Sequence, residues 1–230
     1  MKNKDNQRVA AIIVAAGESK RMGGIDKMLT ELDGESILTR ATRPFQECNL
    51  IDQIVVVVSG EKENKCRSLV TGKEWSKVTD VCVGGERRQD SVAAGLKQLH
   101  DFEWVVIHDG ARPLVTVDLI ERGLKAAEKT GAAAAALPVT DTIKIVGKDE
   151  IVRETPSRDN LRAVQTPQVF RFDVIQIAHQ QDCGDVTDDA FLVERLGHKV
   201  KLYPGSYDNI KVTTPDDLAL AEILLKRRGG

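Results

Sequence analysis

The segment VAAIIVAA (residues 9–16) contains no polar side chain, and this constrains the fold more than any other feature of the chain. A strand with one wet face alternates apolar and polar residues. An unbroken apolar run must instead be covered on both faces, as in a parallel sheet between layers of helices. The pattern returns in QIVVVVS (53–59), WVVIHD (104–109) and AAAAALPV (132–139), with VTDVCV (78–83) as a further strand. Helical spacing fills the gaps at about Ser36 to Cys48, 61–70, 88–100 and 117–131. Pro44 is expected to kink or shorten the first of these. Gly131 should cap the last, with Lys129 in its final turn. The alanine run could be helical on propensity alone, but its place in the alternation and Pro138 make it a strand. The fold class is therefore α/β, with a Rossmann-like, doubly wound, mostly parallel sheet.

The alternation lapses between 140 and 170, where TIKIV, IVRET and LRAVQTPQVF read as short strands with no helix between them. This predicts a protruding β-arm, and such arms commonly reach across to another subunit. Helices resume at 171–181 and from Thr187 to Leu196, followed by strands KVKLY (199–203) and NIKV (209–212). The final helix opens on Thr214 as N-cap, Pro215, Asp216 and Asp217. The chain of 230 residues thus reads as one domain over 1–230 with an arm at about 140–170.

Composition excludes several classes of function. A net charge of -2 gives no general attraction to nucleic acid or anionic membrane, and 4% aromatic residues leave no rows of rings for base stacking. No apolar run reaches membrane-spanning length, and MKNKDNQR at the start lacks the apolar core of a signal peptide. Cys48, Cys66, Cys82 and Cys183 are scattered, which argues against zinc and for reduced thiols in a cytoplasm. The expectation is a cytoplasmic protein without nucleic-acid or membrane partners.

Ligands of open parallel sheets bind beyond the carboxyl ends of the strands. AAGESKR, GGERRQDS, HDGARP and PVTDT each follow a strand, and DNIK lies near the last one. Ala15, Ala16 and Gly17 let backbone N–H groups approach a ligand, with Lys20, Arg21 and Lys27 adding charge; a solvated turn is the alternative. Asp109 at a strand end suits a hard cation such as Mg²⁺, or else a turn cap. His108 reads as a satisfied core histidine, and Arg112 either braces its loop or touches a ligand. Gly85 and Ser91 suit a base or ribose contact, or a helix cap. Arg158 reads on spacing as a solvated charge, Thr187 as part of a helix start and Thr166 as part of a turn. Lys211, between two apolar neighbours, faces either solvent or a site. No G-x-S-x-G, H-E-x-x-H or Cys–His nucleophile pattern occurs. One strand-end carboxylate, several cations and no nucleophile suit phosphoryl or nucleotidyl transfer.

AAGESKRMGG with Lys27, GGERRQDSV, HDGARP, QTPQ and DNIKVTTPDDL occur in this order and spacing. From about Val9 to Leu225 the chain resembles the 2-C-methyl-D-erythritol 4-phosphate cytidylyltransferases of non-mevalonate isoprenoid synthesis. The resemblance implies transfer of CMP from CTP to methylerythritol phosphate, release of pyrophosphate, Mg²⁺ as cofactor and a homodimer joined by the arm. It implies a catalytic set of Arg21, Lys27, Arg158 and Lys211. The nucleotide would meet Ala15, Ala16, Gly17, Gly85, Ser91, Asp109 and Arg112, with Asp109 on the metal. Thr142, Arg158, Thr166 and Thr187 would contact the acceptor, Arg158 reaching in from the partner's arm. The chain departs from the family at MGGIDK, where many members carry a longer stretch with Pro before the lysine. Ribitol 5-phosphate cytidylyltransferases are also similar. They tend to carry LAGG where this chain has VAAG, and Tyr-Asn-Ile-Lys where it has Asp208-Asn209-Ile210-Lys211. A third reading is a nucleotide-binding module without catalysis.

Overall fold

A computed structural model describes residues 7–17, 26–71, 75–181 and 184–229. Among these, the first half of the chain gives β1 (Val9–Ala15), a two-residue pair β2 (Glu31–Leu32) and β3 (Glu35–Ser36), α1 (Ile37–Glu47), β4 (Gln53–Val58), α2 (Glu63–Thr71), β5 (Val78–Val83), α3 (Arg88–Leu96) and β6 (Trp104–Asp109). The second half gives α4 (Val117–Ala127), β7 (Ala132–Pro138), β8 (Ile145–Val146), β9 (Val152–Glu154), β10 (Arg162–Arg171), α5 (Phe172–Ala178), α6 (Asp189–Arg195), β11 (Lys201–Pro204) and α7 (Pro215–Gly229).

Seven strands form one sheet in the order β11-β7-β10-β6-β1-β4-β5. All neighbours are parallel except β10, which runs antiparallel to both β6 and β7. The apolar runs explain the layering. Along β1, Ala11, Ile13 and Ala15 join one core with α1, α2, α4 and α7, while Ala10 and Ile12 join another with α3, α5 and α6. β4 and β6 divide their residues between the same two cores. Each large apolar side chain fully buried there, Ile12, Ile13 and Phe45 among them, stabilises the fold by about 1.5–3 kcal/mol. Ala132 to Ala136 form a fully covered strand, and burial on both faces overrides the helical propensity of alanine.

Helix α1 runs on past Pro44 to Glu47, so of the two effects expected of that proline, shortening does not occur. Two other sequence expectations differ from the structure. The segment 209–212 pairs with no strand; it is irregular backbone tied down by isolated bonds, such as Val212 N–H to the Ala111 carbonyl at 2.8 Å. The stretch 162–171 returns into the main sheet as β10, because a chain doubling back from β7 must enter antiparallel. The excursion from the sheet is therefore the small β8–β9 hairpin with its flanking turns. Gly131 does have the left-handed backbone of a helix stop, at φ +81°, although α4 ends at Ala127 and Lys129 lies beyond it.

Candidate active site

Because β1, β5 and β6 are parallel, their carboxyl ends open on one edge, and a cleft lies there. It is lined by Val14, Ala15, Ala16, Gly17, Lys27, Met28, Gly85 to Arg88, Ser91, Asp109, Ala111 and Lys211. Thus Ala15, Ala16, Gly17, Lys27, Gly85, Ser91, Asp109 and Lys211 are brought together, and Arg21 lies outside the described residues.

Two glycines set how closely the walls approach. A Cβ on Gly84 would stand 2.5 Å from Ser91 Oγ and 2.6 Å from Ala16 Cβ; one on Gly85 would stand 2.4 Å from Asp90 Cβ. Only glycine lets the start of α3 pack this tightly against the loop after β1. Ser91 is buried inside α3, its hydroxyl donating within reach of the Gly85 and Arg87 carbonyls at 3.3 Å each.

Asp26 builds the turn that presents Lys27. Its Oδ1 accepts the Met28 N–H at 3.1 Å, its carbonyl accepts the Leu29 and Thr30 N–H groups, and its Oδ2 lies 3.3 Å from Lys62 Nζ.

Asp109 ends β6 at the floor of the cleft with three cations around it. Arg88 Nε is 3.1 Å from Oδ1; Lys211 Nζ and Arg112 Nε are 2.8 and 3.7 Å from Oδ2. Burial alone would push the Asp109 carboxyl up. The attraction of Arg88, then of Lys211 and Arg112, outweighs it and holds the group ionised, well below the usual carboxylate range. The Asp109 N–H donates to Thr166 Oγ1 at 3.0 Å, and the same hydroxyl lies 3.0 Å from His108 Nδ1. His108 Nε2 is 3.2 Å from the Arg112 carbonyl, which can only accept. Nε2 therefore carries the proton, Nδ1 accepts from Thr166, and the hydroxyl is left free to accept from Asp109. Burial pushes the His108 pKa down to about 3, so the ring stays neutral.

Arg112 acts as a brace, with NH1 donating to the Asn209 carbonyl at 2.8 Å. Asn209 in turn donates to the Thr166 carbonyl at 2.8 Å. HDGARP, QTPQ and DNIK are thereby fastened together, and Lys211 projects from this knot into the cleft. Thr166 is buried and committed to these bonds. Thr142, Arg158 and Thr187 are exposed and do not line the cleft; Arg158 donates to the Thr140 carbonyl at 2.9 Å at the base of the arm.

Sequence reasoning missed Arg88 and its partners. Arg88 NH1 lies 2.7 Å from Asp189 Oδ2, and Asp189, fully buried, faces His179 Nε2 at 3.0 Å. Gln168 bonds the Asp188 carboxylate and the Ala190 N–H. Asp188 does cap α6, as a helix start should, and that ordinary role hid the neighbouring buried carboxylate.

A bound Mg²⁺–nucleotide typically takes one or two protein carboxylates and fills its shell with phosphate oxygens and water. Among the described residues no three carboxylate, His or Cys side chains converge on a common point. One ionised, partly engaged carboxylate at the cleft floor fits that minimal protein share.

A family model described as IspD, 2-C-methyl-D-erythritol 4-phosphate cytidylyltransferase, matches residues 9–227. The protein of that name from Dehalococcoides mccartyi is 50% identical over 222 residues, covering 96% of this chain and 98% of its own. That from Alkaliphilus oremlandii is 46% identical over 227 residues, covering 96% of each. The crystal structure of 4-diphosphocytidyl-2C-methyl-D-erythritol synthase from Anaerococcus prevotii superposes with a TM-score of 0.86 at 31% identity, covering 96% of this chain and 97% of that one. The chain belongs to the 2-C-methyl-D-erythritol 4-phosphate cytidylyltransferase family.

Proposed function

We propose a division of labour for the reaction that this family membership gives the chain, cytidylyl transfer from CTP to 2-C-methyl-D-erythritol 4-phosphate. An oxygen of the acceptor phosphate attacks the α-phosphorus, the bond from that phosphorus to the β-phosphate oxygen breaks, and pyrophosphate leaves. No protein nucleophile is needed, so the protein's part is to align two polyanions and offset the charge that gathers between them. Ala15, Ala16, Gly17, Gly85 and Ser91 receive the nucleoside. Lys27 and Lys211, with Arg21, hold the phosphates and act most strongly where charge develops on the five-coordinate phosphorus. Arg112 and Thr166 keep Asp109 and the Lys211 segment in place. Asp109 holds Mg²⁺, which when bound supplies further positive charge to the phosphates. Thr142, Thr187 and Arg158 face the acceptor.

The observation that carries this reading is that Lys27, Lys211 and Asp109 share one cleft with residues 15–17, Gly85 and Ser91. The arm exposes Ile143, Ile145, Val146, Ile151 and Val152, an aliphatic surface that a second copy of the chain would cover. We propose that a homodimer does so and brings the partner's Arg158 to the acceptor. No described helix is long and apolar enough to cross a membrane. Burial pushes the Cys66 and Cys82 thiols up to about 11, so neither is a reactive thiol at neutral pH. We place the enzyme in the cytoplasm.

The test is pyrophosphate release from CTP and Mg²⁺ with methylerythritol phosphate in one reaction and ribitol 5-phosphate in another. Release with the first alone is expected. Release with the second alone would overturn the acceptor, and CTP binding without release would leave a binding module.

A further inference from the structure

Beside the cleft floor, a polar cluster joins the start of α3 to the segment 184–189. Four contacts hold the two together. Arg88 NH1 meets Asp189 Oδ2 at 2.7 Å. Gln89 donates to the Gly184 carbonyl at 2.8 Å and accepts the Val186 N–H at 3.1 Å. Arg87 NH1 lies 3.6 Å from Asp185 Oδ1. The two segments are remote in sequence, and the side chains of Arg87, Arg88 and Gln89 bridge them.

The bridge has one buried member, and it leads into the cleft. Asp189 is fully buried, with Arg88 on one oxygen and His179 on the other. The other arm of the Arg88 fork reaches Asp109. A planar guanidinium with donors in a fixed fork can hold two carboxylates at a set separation, which a single ammonium cannot. α3 follows directly on the cleft-lining stretch Gly85 to Arg88, and the gripped segment contains Thr187. One rigid connection therefore runs from the nucleotide side of the site to the acceptor side.

We propose that Arg88, Asp189 and Gln89 are positioning residues that set the distance between the acceptor phosphate and the α-phosphorus of CTP. This rests on the placement of the acceptor beside Thr187. In-line attack is steeply sensitive to that distance, since a misplacement of about 1 Å can cost roughly 100-fold in rate. Losing the strut thus acts on the acceptor and on turnover, and leaves CTP binding largely intact.

The test is a kinetic and binding series on the full chain with Asp189→Asn, Asp189→Glu, Arg88→Lys and Gln89→Ala. For Asp189→Asn, kcat is expected to fall by about 10- to 100-fold and KM for methylerythritol phosphate to rise severalfold. The CTP dissociation constant, measured by calorimetry, should move by less than about threefold. Asp189→Glu should recover part of the loss. Arg88→Lys should lower kcat as Asp189→Asn does, and should also weaken CTP binding, because Arg88 lines the nucleotide cleft and holds Asp109. Gln89 is half-buried and uncharged, so Gln89→Ala is milder than the substitution of buried Asp189 and keeps the test open if that variant does not fold; it should raise the acceptor KM. Acceptor KM and kcat unchanged in folded variants would overturn the proposal, as would a loss confined to CTP affinity or to melting temperature. A wild-type protein inactive with both substrates would overturn the acceptor reading instead.

Discussion

Lys211 Nζ lies 2.8 Å from Asp109 Oδ2, so a cation near the end of the chain is held over the cleft by a carboxylate at the end of a central strand. The pairing places a positive charge where substrate phosphates would arrive while leaving it half exposed and able to turn toward them. Four loops meet at this point, and the consequences of the geometry can be measured one at a time.

Lys27 is presented by a turn that Asp26 caps, with its side chain lining the cleft. Lys27→Ala should lower kcat by about 10²–10³, the range for removing one preorganised electrostatic donor. Asp26→Ala loosens the turn and keeps the charge, so it should cost less. Steady-state kinetics at saturating CTP would show the order reversed if the turn rather than the cation mattered.

Gly84 has no room for a side chain, since its Cβ would stand 2.5 Å from Ser91 Oγ. Gly84→Ala must push α3 away from the loop after β1. The CTP dissociation constant should rise by roughly tenfold, equivalent to about 1.4 kcal/mol. A titration with unchanged affinity would show that the nucleotide does not use this wall.

His108 and Thr166 give a pH dependence of stability. The folded-state pKa of His108 is near 3, below its ordinary 6.5, because burial disfavours the charged ring. The unfolded chain therefore binds the extra proton first. Stability from this group is complete above about pH 6.5 and is lost progressively as pH falls toward about 3. Acid titration of the denaturation midpoint should show this slope, and His108→Gln should flatten it. Thr166→Val leaves the Asp109 N–H and His108 Nδ1 unpaired, at a cost of about 1–3 kcal/mol in denaturant melts.

The exposed aliphatic residues of the β8–β9 arm should be covered in a dimer. Val152→Asp is expected to shift sedimentation toward the monomer without unfolding the sheet, because Val152 lies in the small hairpin outside the main sheet. Turnover should fall with it if the partner's Arg158 serves the site. A monomeric variant with full activity would separate the arm from catalysis.

The sequence made the central strands legible because burial on both faces removes polar residues from them, and Ile12 or Val56 can lie nowhere else. It also exposed the cleft motifs, since glycine pairs and strand-end charges interrupt that pattern. NIKV does not form a strand because alternation of apolar and polar residues, as in Ile210, Lys211 and Val212, marks a strand only where a partner pairs with it. The antiparallel entry of β10 depends on how the arm folds back, which local pattern does not encode. Arg88 and Asp189 were hidden because each has an ordinary local reading at a helix start. Their meaning lies in a contact between distant segments.

The measurement that bears most directly on the site is the turnover number of Lys211→Ala with CTP and methylerythritol phosphate both saturating. If the ammonium leaves Asp109 to offset charge on the α-phosphorus, turnover falls by about 10²–10³ while the protein stays folded. Turnover within about twofold of wild type would contradict this and leave Lys211 as no more than a counter-ion of Asp109.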